Sequence, residues 1–294
     1  MKIIKRNGYG ANFNILYYDE INLIIIKKTI NQYGINKLKN EINFYNFIKE
    51  NKIKLNIPII YKYDNDTITM NYIKQNKLND YNYLNIIINN LTNLHDYNNI
   101  FVNKDYYRKL LLEETIIKIK DRFITIKDII YTNNILFVNN IKLLDFDTII
   151  EKLNEYFNLY IDDILTEYKL QPIHGDPQYN NIIFDNYNLT FIDPKGIFGS
   201  SEIYGIKEYD IAKLFFSLSG YEKFDNMIFD FIHINNNNLN IDFINIPNFD
   251  IYNSKFIIYL FISIWLSNAH IFINEPYKVI YSYYIGLYFA SILL

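Results

Sequence analysis

Between Pro172 and Gly196 the chain reads PIHGDPQYNNIIFDNYNLTFIDPKG, and no other stretch narrows its possible folds as far. Two runs of strand character, NNIIF and LTFID, flank the turn residues DNYN, so the segment predicts a hairpin. A hairpin brings together groups that stand at its two open ends, here Asn181 and Asp193. A hard divalent cation such as Mg²⁺ takes oxygen ligands, usually one or two carboxylates plus substrate phosphates. Asn181 and Asp193 can supply ligands of that kind. Asp176, five residues ahead of Asn181, is then free to accept a proton from an attacking hydroxyl or to orient it. His174 and Gly175 shape the turn that carries Asp176.

The rest of the chain divides by pattern. KIIKR, FNILYYD and INLIIIKKT read as strands, and the Gly8–Gly10 pair can supply the positive φ of a tight hairpin. INKLKNEINFYNFIKEN places Leu38, Ile42, Tyr45 and Ile48 near helical spacing. PIIYKYDNDTITMNYI gives two further strands across a DND turn. Five strands and one helix make a small α+β lobe, residues 1–76. From residue 77 to 294 the pattern is mainly helical, interrupted by the hairpin above; FDTIIEKLNEYFNLYIDDILTEYKL and FDNMIFDFIHI both read as helix. The layout is bilobal, and a ligand is expected in the cleft between lobes.

Composition supports a folded protein: half of the 294 residues are hydrophobic and 21% are charged. A net charge of −3 gives no electrostatic reason to expect a nucleic-acid partner. The absence of Cys excludes disulfides, thiolate metal sites and cysteine nucleophiles, and fits a cytoplasmic location. The N-terminus MKIIKRNGYG lacks the apolar core of a secretory signal. The run from Phe256 to Leu266 is too short to span a bilayer and reads as a buried helix, so no stable membrane insertion is expected. The Asn run at Asn235 to Asn238 marks a loop.

The order H-x-D-x-x-x-x-N, strand, D belongs to the catalytic and metal loops of the protein-kinase fold. The variant HGD with IDP resembles the aminoglycoside phosphotransferase and choline kinase family, small-molecule kinases with that fold. That resemblance extends to Lys27 in LIIIKKT, at the position of the strand lysine that holds the nucleotide phosphates, and to Glu41 in LKNEINFYNFI, its partner on the following helix. Lys28 would point to the opposite face of the strand, since side chains alternate. In isolation, Lys27 and Glu41 would read as a solvated strand edge and a solvated helix face. TITMNYIKQ resembles the linker between lobes, where backbone groups of Asn71 and Ile73 would bind adenine. NNLTNLHDY matches the helix ending in L-H, with His95 structural, and EYDIAKL matches the helix on which Asp210 braces the catalytic loop. By resemblance, Gly8 and Gly10 cover the phosphates, Asp176 is the catalytic residue with His174 supporting it, and ATP and Mg²⁺ are the cofactors.

The chain also departs from the family pattern. NGYGANFN has G-x-G but no third glycine. After Asp193 comes Pro194-Lys195-Gly196, so a cation adjoins the proposed metal ligand; Lys195 reads either as a salt-bridge residue or as a contact for an anionic acceptor. The resemblance implies an ATP- and Mg²⁺-dependent phosphotransferase acting on a hydroxyl of a small metabolite, with a sugar or surface-polysaccharide precursor first. Choline, ethanolamine and aminoglycosides are the alternative acceptors; an inactive nucleotide-binding relative and an AMP transferase are the alternative functions.

Overall fold

The computed structural model describes residues 2–4, 9–74, 83–185, 188–230, 232–249 and 254–294. In chain order the main elements are β1 (Lys2–Ile4), β2 (Asn14–Asp19), β3 (Ile24–Thr29), α1 (Gln32–Glu50), β4 (Ile60–Tyr63), β5 (Thr67–Asn71) and α2 (Leu84–His95). They continue with α3 (Lys104–Glu114), α4 (Ile116–Ile130), α5 (Phe146–Leu159), β6 (Lys169–Pro172), β7 (Ile182–Asp185), β8 (Asn188–Phe191) and α6 (Lys207–Phe216). Last come α7 (Glu222–Asn226), α8 (Lys255–Asn268) and α9 (Pro276–Leu293). The chain forms two compact units, Met1–Ile100 with Leu170–Asp210, and Phe101–Lys169 with Ile211–Leu294. That grouping differs from a division after residue 76: the segment carrying His174 to Asp210 packs with the N-terminal sheet, to which it is linked by long-range bonds that no local pattern reveals.

In the first unit β1 to β5 form an antiparallel sheet in the order β1-β2-β3-β5-β4. Helix α1 starts where Asn31 accepts a hydrogen bond from the Gly34 N–H at 2.9 Å. It buries Leu38, Glu41, Ile42, Phe44, Tyr45 and Ile48 on one face. A Cβ at position 34 would stand 2.7 Å from the Phe13 carbonyl oxygen and 3.1 Å from Thr29 Cβ, so only glycine lets the helix approach this closely. The predicted hairpin is present, with Ile182 opposite Phe191 and Asp185 opposite Asn188. Gly10 does not take the positive φ expected of it; it lies in a 3₁₀ turn, Tyr9–Asn12, that leads into β2. Gly8 lies outside the described residues.

The second unit is built on helices. The α8 and α9 sequences are apolar around most of their circumference, and both helices are buried along nearly their whole length. Gly286 admits the Leu266 backbone, which a Cβ would approach to 3.2 Å. Lys255–Phe272 is long and apolar enough to cross a membrane, but 78% of it is buried within the protein. Trp265 is fully buried against Phe216 and Phe289, with its indole N–H donating to Ser219 Oγ at 2.9 Å.

Two segments expected to be helical are not. The α5 helix ends at Leu159, followed by one π-helical turn at Tyr160–Ile164, and Lys169 already belongs to β6. The α7 helix ends at Asn226, after which Met227 is extended. In the first place tertiary pairing overrides the local apolar period: Pro172 of β6 pairs with the distant Tyr204. The Asn run forms the tight turn of a hairpin. Asn236 and Asn237 have φ of 49° and 59°, and Asn139 and Asn140 repeat the device at 48° and 64°. The hairpins, 234–235 with 238–239 and 137–138 with 141–142, join through a parallel contact into one four-stranded sheet.

Replacement Gly34→Val should lower unfolding stability by roughly 1–3 kcal/mol, because the new side chain meets backbone that cannot give way. Urea denaturation of the wild type and variant measures this directly.

Candidate active site

Alternation along β3 sends Lys27 inward and Lys28 outward. Lys27 is buried, while Lys28 is exposed and lies 4.0 Å from Asp66. The Lys27 ammonium donates to Glu41 Oε2 at 2.6 Å and to Asp193 Oδ1 at 2.8 Å. Burial opposes its charge, but Asp193 and Glu41 outweigh burial and hold its pKa above the ordinary lysine value. Burial pushes the Glu41 carboxyl upward, against the pull of Lys27.

The hairpin places Asn181 beside Asp193 through one backbone bond: Ile192 N–H donates to the Asn181 carbonyl at 2.9 Å. Asp193 itself has φ of 53°, in the left-handed region, where aspartate is tolerated better than most residues. The Asn181 amide donates to the Asp176 carbonyl at 2.9 Å and to Asp176 Oδ2 at 3.2 Å. That orientation turns the Asn181 carboxamide oxygen away from Asp176. The Asn181 carboxamide oxygen and the Asp193 carboxylate are ligands of the types that Mg²⁺ takes beside phosphates. Asp176 Oδ1 accepts from Gln178 Nε2 at 2.7 Å, so both carboxylate oxygens are oriented. The Gln178 contact was not foreseen, and its sole signal was its position two residues after Asp176.

His174 fastens the turn that carries Asp176. It is fully buried, its Nε2–H donates to the Ile192 carbonyl at 3.1 Å, and its Nδ1 accepts from the Asp176 N–H at 3.3 Å. These partners define the neutral tautomer, and burial lowers its pKa. Asp210, also fully buried, accepts from the His174 N–H at 2.9 Å and the Gly175 N–H at 2.7 Å. His95 Nε2 meets the same Asp210 carboxylate at 2.9 Å. Gly175, at φ 78°, is required twice over, because a Cβ there would also stand 2.9 Å from Lys195 Cβ.

The remaining candidates are less gathered. The Lys195 ammonium lies 5.4 Å from the Tyr209 ring centroid, a cation–π contact that draws it to α6. The Asn71 N–H donates to the Ile59 carbonyl at 3.1 Å, so that amide serves the sheet. Ile73 lies two residues beyond the end of β5. Tyr45 was expected only as an apolar position of α1. Its hydroxyl donates to Glu41 Oε1 at 3.2 Å and accepts from the Asp193 N–H at 3.2 Å.

No protein-family model matches the sequence, and no curated protein matches it. Solved structures do. Choline kinase LicA from Streptococcus pneumoniae aligns with a TM-score of 0.57 at 12% identity, over 99% of this chain and 94% of that one. An ethanolamine kinase from Plasmodium vivax aligns with a TM-score of 0.56 at 15% identity, over 99% and 80%. An aminoglycoside 2'-phosphotransferase in complex with GDP gives 0.56 at 13% identity, over 97% and 89%. The likeness is one of fold. The chain has the α+β, protein-kinase-like fold of the small-molecule kinases, in agreement with the resemblance read from HGD and IDP.

The lowered His174 pKa has a consequence for stability. A neutral buried histidine contributes stability fully above its unfolded pKa of about 6.5, and that contribution is lost as pH falls, because the unfolded chain binds the proton more readily. His174→Gln should therefore be less stable than wild type at pH 8 and show a shallower loss between pH 7 and pH 5. Equilibrium unfolding across that range measures both.

Proposed function

We propose that the protein is a nucleotide-dependent phosphotransferase that phosphorylates a hydroxyl of a small molecule. One observation carries the reading: Lys27 joins Glu41 and Asp193 at 2.6 and 2.8 Å, on the loop that follows the hairpin from Asn181. Phosphoryl transfer needs positioning and charge neutralisation more than covalent help from the protein. Asn181 and Asp193 would hold Mg²⁺, which supplies charge neutralisation at the nucleotide phosphates. Lys27 would donate to those phosphates while Glu41 keeps it in place. Asp176 would accept the hydroxyl proton as the acceptor oxygen bonds to the γ-phosphorus and the bond to the β–γ bridging oxygen breaks, releasing the nucleoside diphosphate. The backbone near Gly10 would cover the phosphates, and Ile73 is better placed than Asn71 for the base, since the Asn71 amide is paired with Ile59. ATP is the donor expected from the resemblance.

The reading that keeps the fold without catalysis has less support, because Lys27, Asp176, Asn181 and Asp193 are all present and oriented. A sugar or surface-polysaccharide precursor remains the first acceptor class. A quaternary ammonium such as choline calls for an aromatic cage and a polycationic aminoglycoside for acidic groups. Trp265, a candidate for caging a quaternary ammonium, is inside the helical core. Asp162, a candidate for a polycation, pairs with Lys104 at 2.7 Å and lies 3.9 Å from Arg108. A product screen of sugars, choline, ethanolamine and aminoglycosides with Mg·ATP tests the acceptor class.

Asp176→Asn should retain nucleotide binding and lower kcat by about 10²–10⁴-fold, the range associated with a positioned general base. Steady-state kinetics with the acceptor found in that screen, together with calorimetric nucleotide titration, checks both halves; an unchanged kcat would remove Asp176 from the chemistry.

A further inference from the structure

Four residues close a ring of hydrogen bonds inside the first unit. Lys27 bonds Glu41 Oε2 and Asp193 Oδ1, the Tyr45 hydroxyl donates to Glu41 Oε1, and the Asp193 N–H donates to the same hydroxyl. Tyr45 is therefore the one member that holds Glu41 by its side chain and Asp193 by its main chain. It stands one helical turn after Glu41, so both project from the same face of α1. Its side chain is buried, and its hydroxyl donates to Glu41 while accepting from Asp193.

The bond to Asp193 bears on a backbone that needs support. A left-handed, non-glycine residue costs stability that its surroundings must offset, and Asp193 has φ of 53°. Gly196, three residues on, fits against α1 so closely that a Cβ would stand 2.5 Å from the Asn40 carbonyl oxygen. The loop is thus fixed to α1 at two points, one by contact and one by the Tyr45 hydroxyl.

We infer that Tyr45 is a positioning residue for the metal and phosphate site, fixing the Asp193 backbone relative to the Lys27–Glu41 pair. This inference rests on the phosphotransferase reading above. When nucleotide and cation occupy the site, Lys27 must serve phosphate as well as carboxylate. Tyr45 then keeps Asp193 and Glu41 in register without depending on the Lys27–Asp193 contact.

The test is Tyr45→Phe in the full chain, which removes one oxygen and keeps the ring. Amide hydrogen exchange at Asp193, read without nucleotide, should accelerate at least tenfold. ATP affinity, measured calorimetrically over a Mg²⁺ series, should fall about five- to thirtyfold at low Mg²⁺, with the deficit shrinking as Mg²⁺ rises. A purely structural tyrosine would lower the melting temperature and leave the Mg²⁺ dependence as in wild type, which overturns the inference. If wild type binds Mg·ATP and the variant matches it in affinity and Asp193 exchange, the inference alone fails. If wild type binds no nucleotide at any Mg²⁺ concentration, the phosphotransferase reading fails and takes this inference with it. Tyr45→Leu, lacking both ring and hydroxyl, separates the packing contribution: the Mg²⁺-dependent deficit should equal that of Tyr45→Phe, while the melting temperature falls further.

Discussion

A buried ammonium group organises the first unit. Taking Lys27 out of water costs several kcal/mol, and the cost is recovered only where carboxylates meet it with good geometry. Glu41 and Asp193 do so from segments far apart in the chain, the second separated from Lys27 by 166 residues. The strand, the helix and the loop after the hairpin must therefore assemble together. Lys27, Glu41 and Asp193 combine one basic with two acidic side chains, and the Asp193 side chain retains 25% exposure.

The second organising group is the buried carboxylate of Asp210. It collects two backbone N–H groups of the turn before Asp176 and the ring of His95. Each of those donors would be expensive to bury without a partner. The turn is consequently held from below, while His174 fastens it sideways to the Ile192 carbonyl. Asp176 emerges from this support half-buried, with both oxygens already engaged by Gln178 and Asn181. Such preorganisation is what the role proposed for Asp176, orienting an acceptor hydroxyl and taking its proton, requires. Among the described residues no three His, Asp, Glu or Cys side chains cluster as a closed metal site would require. A cation that shares its coordination with phosphate needs no such cluster.

Much of this was legible because it rests on short-range geometry. A hairpin fixes what stands at its open ends, which is why Asn181 and Asp193 could be paired from spacing alone. Strand alternation decided between Lys27 and Lys28, and helical spacing gave the buried face of α1. The apolar run in α8 lacked a polar face, and a helix of that kind is buried wherever it lies in a globular protein. In contrast, the helical reading failed at 165–170, which runs into the strand that pairs with the distant Tyr204, and at 227–230, where the helix has already ended at Asn226.

The sequence by itself determined which residues share a strand face or a hairpin end, because that depends on backbone periodicity within a few residues, and its HGD and IDP motifs carried the resemblance that implied the protein-kinase-like fold class. Only the tertiary structure decided that Tyr45 reaches Asp193, that the Asn71 amide belongs to the sheet, that Gly10 sits in a 3₁₀ turn and that Trp265 is enclosed. Tyr45 and Asp193 lie 148 residues apart, and a tyrosine at an apolar helix position looks the same in sequence whether or not its hydroxyl has a partner. What a buried polar atom bonds to is fixed by whichever segment arrives opposite it, and that arrival is a property of the folded chain.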